Sequence, residues 1–153
     1  MATNRVLAAA IVVGVALGAA TSADAFQLIT ADEAKLPSAP AMQIATRGLT
    51  RGPGVDQVSP PADATLPSGG SLDFDITFAP HNGATIDPTK VRLTYLKQPE
   101  IDLTQRLKSF ITPKGIEAKD VQVPPGTHII RIDVIDSDGR STSQIMKIQV
   151  AAK

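Results

Sequence analysis

No cysteine and no tryptophan occur in the 153 residues, and histidine occurs only at His81 and His128. Each absence removes a class of chemistry. Without a thiol there is no cysteine nucleophile, no thiolate metal site and no disulfide frame. Two histidines are too few for a histidine-rich metal centre. An excess of charge is missing as well: Lys plus Arg and Asp plus Glu both number 15. That balance gives no electrostatic reason to expect nucleic acid or an anionic membrane as a partner.

What is present begins with an export pattern. Asn4 and Arg5 precede the apolar run VLAAAIVVGVALGAA at residues 6–20, and the small-residue sequence Ala23-Asp24-Ala25 follows. This is the order of parts in a cleavable signal peptide. A run of about 15 apolar residues falls short of the ~20 that a spanning helix needs. The expectation is therefore a signal peptide at 1–25, cleavage after Ala25, and no stable membrane span afterwards, with an uncleaved membrane anchor as the alternative. With no cysteine beyond the run, the sequence offers no site for a lipid anchor. The remaining 128 residues have the size of one domain, long enough to hold together by a core without disulfides. The lack of cysteine in an exported chain points to a bacterial periplasm or to secretion from a bacterium.

Residues 26–54 read as an extended N-terminal arm. In FQLITADEA, Thr30 and Glu33 have the spacing of a capping box for one helical turn. Pro37, Pro40, Gly48, Gly52, Pro53 and Gly54 then break any long element. The arm carries Phe26, Leu28, Ile29, Met42, Ile44 and Leu49, too many apolar side chains for a solvent linker, so it needs a surface to lie on.

Residues 55–153 read as one β-domain. A first edge-like strand at 55–59 is stopped by Pro60 and Pro61, and DATLPSGG forms a loop. SLDFDITF alternates, with Leu72, Phe74, Ile76 and Phe78 on one face and Ser71, Asp73, Asp75 and Thr77 on the other. VRLTYLK puts Val91, Leu93 and Tyr95 inward and leaves Arg92, Thr94 and Lys97 near solvent. Residues 116–123 form a short strand. HIIRIDVI places Ile130, Ile132 and Val134 on one face, and IMKIQV does the same with Met146, Ile148 and Val150. Between 101 and 111 the period changes: Asp102 caps a short helix with Leu103, Leu107, Phe110 and Ile111 on its apolar stripe. Gln105, Arg106 and Lys108 occupy the other side. Pro113 and Gly115 end the element.

Six or seven short strands separated by turns make the expected fold all-β, two packed antiparallel sheets with one short helix inserted after a middle strand. A closed barrel satisfies the same alternation. Ile129, Ile135 and Ile145 fall on the outward alternation of the last two strands. They need cover from the segment 103–111, from the arm, or from a partner chain.

PPGTHIIRIDVIDSDGRSTSQIMKIQV resembles the last hairpin of bacterial immunoglobulin-like and fibronectin-III-like modules, and GATIDPTKVRLTY is similar to the approach to their middle strand. The resemblance covers about 100 residues, 55–150, and implies an immunoglobulin-like β-sandwich; it carries no activity across. LTQRLKSF departs from the usual module, which crosses between sheets by a strand or loop. With FQLITADEA and RGLTRGPGVD included, the chain also resembles a group of small exported bacterial proteins of unassigned function, which implies that the arm belongs with the domain.

The candidate sites are few. Asp136-Ser137-Asp138-Gly139 invites a calcium reading, but alternate positions from Asp136 run to Asp138, Arg140 and Thr142, and the twelfth is Lys147 where such a loop has glutamate. A hairpin turn built on Asp138 and Gly139 needs nothing extra. His81 sits in the loop HNG and His128 beside a turn; with Asp136 and Asp138 they are the anchors of a ligand- or metal-binding alternative. Asp73 and Asp75 lie on one strand face at a separation seen between glycosidase carboxyls, yet read as the wet side of a sheet. No residues form a catalytic set and no cofactor is implied. The expected function is non-catalytic: an exported domain acting by interaction or assembly with an envelope protein partner, for which exposed edge strands are available. The alternative is a periplasmic small-ligand or metal-binding domain.

Overall fold

The computed structural model describes residues 26–40 and 51–152; the signal peptide expected at 1–25, and Met42, Ile44 and Leu49 of the arm, lie outside the described residues. Two separate sheets enclose an apolar core, which makes the domain an all-β sandwich and not a closed barrel. One sheet has the order β1-β3-β7-β6, formed by Gly54–Ser59, Ser71–Ala79, Gly115–Gln122 and Ile111–Thr112. The other has the order β2-β9-β8-β4-β5, formed by Thr65–Leu66, Ser141–Val150, Gly126–Ile135, Arg92–Tyr95 and Ile101–Asp102. All pairings are antiparallel except β2 with β9.

The two-residue rhythm places the core. Leu72, Phe74, Ile76 and Phe78 of β3, Leu93 and Tyr95 of β4 with Val91 just before it, Ile130, Ile132 and Val134 of β8, and Met146, Ile148 and Val150 of β9 are all buried. A one-residue slip would turn each of these sets to water, so burial itself holds the register. The longest ladder is the hairpin of β8 and β9, in register from Gly126 opposite Val150 to Ile135 opposite Ser141.

Several expectations are corrected. The stretch read as a loop, DATLPSGG, contains β2, and β5 and β6 were not foreseen. Two-residue strands are too short to show alternation. The helix is also shorter than its apolar stripe. It consists of α2 at Thr104–Leu107 and a 3₁₀ turn at Lys108–Phe110, while Ile111 already belongs to β6. Asp102 does bond the helix start, accepting from the Thr104 N–H at 2.7 Å, but the residue at the cap position is Leu103. Lys97, expected near solvent, is buried. The segment from β5 through α2 to β6 carries the chain from one sheet to the other, with Leu103 and Leu107 fully buried in the core. Among the expected outward isoleucines, Ile129 and Ile145 are half-buried and Ile135 is exposed.

The sheet edges are short or irregular. β2, β5 and β6 have two residues each. The ladder of β1 with β3 is broken by a bulge between Gln57 and Ser59, and Pro60 follows. Such features discourage edge-to-edge pairing with another sheet.

Candidate functional site

The weak ligand anchors are not brought together. His128 and Asp136 lie eight residues apart along β8 and its end, about 27 Å at the rise of an extended strand. His81 is exposed in the loop after β3. That loop joins the Asp136 turn through a bridge of Ile86 to Asp136 and through Thr85, whose carbonyl accepts from the Ser137 N–H at 2.8 Å. Among the described residues no three His, Asp or Glu side chains converge as a metal-binding group.

His128 has both ring nitrogens engaged, and Asp136 has one carboxylate oxygen hydrogen-bonded and the other beside a guanidinium. The Nε2 of His128 lies 2.8 Å from the Pro124 carbonyl, and its Nδ1 lies 2.8 Å from the Tyr95 hydroxyl. A carbonyl only accepts, so Nε2 carries the proton and Nδ1 accepts from Tyr95. Burial holds the His128 pKa below its ordinary value and pushes that of Tyr95 up to about 12. Asp136, also buried, organises a turn: its Oδ1 accepts from the N–H groups of Asp138 and Arg140 at 3.0 and 2.9 Å. Its Oδ2 stands 3.2 Å from Arg140 Nε, close enough for ion pairing although the two are not aligned as a hydrogen bond. The Gly139 N–H donates to the Asp136 carbonyl, and Gly139 has φ +79°. Of the two turn residues, only Gly139 takes positive φ; Asp138 does not.

The sandwich does hold one ligand-like element, its own N-terminal segment. Residues 26–40 lie along one end of the two sheets and are gripped at four places. First, Gln27 bridges Gln122 on the outer edge of β7: the Leu28 N–H donates to the Gln122 carbonyl at 3.1 Å and the Gln122 N–H to the Phe26 carbonyl at 2.8 Å. Second, Leu28 and Ile29 are fully buried within the core cluster, and Phe26 packs on Phe110 with ring centroids 5.4 Å apart. Burying each aliphatic chain contributes about 1.5–3 kcal/mol.

The third grip is Arg106. Its guanidinium donates to Glu33 through two nitrogens at 2.9 and 2.5 Å and to the Leu28 carbonyl at 2.7 Å. Glu33 is fixed in place beforehand by the capping box of α1 (Ala31–Lys35). Its carboxylate accepts from the Thr30 N–H at 2.9 Å, while Thr30 Oγ1 accepts from the Glu33 N–H at 3.2 Å. The paired guanidinium holds the Glu33 carboxyl at about 2, well below the usual carboxylate range. A two-pronged arginine–carboxylate contact gives direction as well as attraction.

The fourth grip is Lys97. Its ammonium donates to the Ala34 and Leu36 carbonyls at 2.9 Å each and lies 5.4 Å from the centre of the Tyr95 ring. Those carbonyls belong to the open end of α1, where a cation is favoured. Backbone bonds from Gln98 N–H to Pro37 O and from Ala39 N–H to Leu96 O complete the strap. The segment therefore reaches from β7 in one sheet to the end of β4 in the other. The capping box and the arm's need for a surface are visible in the sequence, but its patterning puts Arg106 and Lys97 on the solvent side. A cation facing an isolated carboxylate 73 residues away leaves no local pattern.

Among the described residues no helix is long and apolar enough to cross a membrane. No protein-family model matches the chain, and no curated protein matches it. Among solved structures it is similar to CopC from Methylosinus trichosporium OB3b, at 14% identity and a TM-score of 0.43, over 65% of this chain and 93% of CopC.

Proposed function

We propose that this chain is a non-catalytic exported domain of the bacterial envelope that acts by binding an extended protein segment at the end of its sandwich. The observation that supports this reading is the occupied slot: a strand-edge bridge at Gln122, an apolar recess filled by Leu28 and Ile29, and the guanidinium of Arg106 set for a carboxylate. Edge pairing plus side-chain pockets is a recurring way to recognise an extended peptide. The commitment of both His128 nitrogens and of Asp136 Oδ1 to internal bonds, and the distance between these two residues, favour this reading over the metal-binding alternative.

The test uses the mature chain with a photo-reactive residue in place of Lys119, exposed on β7. The expected result is a protein cross-link in the envelope whose yield falls when a synthetic peptide of residues 26–40 is added. A yield indifferent to that peptide, joined to a rise in melting temperature with copper or calcium, would replace this reading with the metal-binding one.

A further inference from the structure

Resting on the reading of the slot as a peptide-binding site, we propose that its partner is a second copy of this chain, with residues 26–40 of each copy seated in the slot of the other. The slot's requirements are met by this chain's own segment. It takes two adjacent aliphatic residues after an edge-bridging residue, then a hydroxyl cap, then a carboxylate three positions on, as supplied by Gln27, Leu28, Ile29, Thr30 and Glu33. An empty slot exposes apolar surface on the core and leaves the charge of Arg106 without its carboxylate, so the slot favours being filled.

The contacts that seat the segment are ones that the same segment of another copy can make. Its polar and ring contacts run to Leu96, Lys97, Gln98, Arg106, Phe110 and Gln122, and Leu28 and Ile29 pack into the core. Covalently it joins β1 through the residues between Pro40 and Arg51, ten in number, a length that reaches about 33–36 Å when extended. Exchange between copies keeps each of these contacts, the condition under which swapping costs least. Concentration then decides the outcome. Seating within one chain competes at an effective concentration on the order of mM, so exchange is expected where copies are dense or fold side by side.

Because the chain has no cysteine, the exposed pair at the strand edge provides a direct test. One mature chain carries Gln27→Cys and another Gln122→Cys. Neither can close a disulfide within itself. The two are refolded together at a concentration approaching mM and oxidised. The expected product is a mixed disulfide of doubled mass that dominates both homodimers, and that disappears when the second chain also carries Arg106→Glu. A statistical mixture of the three dimers, or no mixed dimer, overturns the exchange. The double variant Gln27→Cys/Gln122→Cys in one chain separates the two readings. Closure within that chain while the mixed pair fails leaves the slot intact and rejects the second copy. No closure in either arrangement rejects the slot itself.

Discussion

Arg106 concentrates the arm's attachment in one side chain, since it meets both the Glu33 carboxylate and the Leu28 carbonyl. Replacing it with alanine is expected to cost about 2 kcal/mol in urea unfolding, after discounting the depressed Glu33 pKa for partial solvent exposure. Arg106→Lys should recover only part, because an ammonium cannot span both carboxylate oxygens. The pH dependence has a definite sign. Glu33 has a folded pKa near 2 against 4.5 for the free group, so its contribution is complete above 4.5 and is lost as pH falls toward 2. His128 acts in a higher window. Its folded pKa lies below the ordinary 6.5, so its contribution is complete above that value and declines as pH falls below it. Urea midpoints measured between pH 5 and 8 should therefore drop on the acid side for the natural chain, and His128→Gln should flatten that slope. An unchanged slope in the variant would remove His128 from the account.

At the scale of elements, β7 is the strand that both the sheet and the arm depend on. It pairs with β3 along one edge; the other carries β6 at its start and the Gln27 bridge at its end. A bulge sits between these two, where Asp120 has φ +53°. Gly115 opens the strand, and a Cβ there would stand 2.1 Å from the Ile76 carbonyl oxygen. Gly115→Ala must push β7 away from β3, at an expected cost of about 3 kcal/mol, read as a lower midpoint in chemical unfolding. An alanine tolerated within about 0.5 kcal/mol would mean that the two strands lie further apart in solution. The sequence marks Gly115 only as the end of a helix, because a close backbone approach has no signature in the residue itself. The long strands were legible for the opposite reason. In β3 and β8, and in β9 from Met146 to Val150, a buried residue recurs at every second position, whereas β5 and β6 follow from what the crossover segment packs against.

For the whole molecule, residues 26–40 are part of the core and not an appendage. Leu28→Ala removes a fully buried side chain and is expected to cost about 2–5 kcal/mol, measured by thermal or urea unfolding. Val58→Ser, at a position 53% exposed, should stay within about 0.5 kcal/mol. If both changes were equally mild, the segment 26–40 would not be seated on the sandwich in solution. The choice of two sheets over a closed barrel came from the tertiary structure, while the sequence by itself determined the all-β class, the inward sets on β3, β4, β8 and β9, the Asp136 to Gly139 turn and the Thr30–Glu33 capping box. These depend on neighbours within a few positions along the chain, where a period of two or a spacing of three is written directly into residue order. Only the tertiary structure decided that Arg106 meets Glu33, that Lys97 closes the end of α1 and that His128 bonds Tyr95. Such pairs join residues 33 to 73 positions apart, and their partners are fixed by how the two sheets and the crossover bring distant segments to one end of the sandwich.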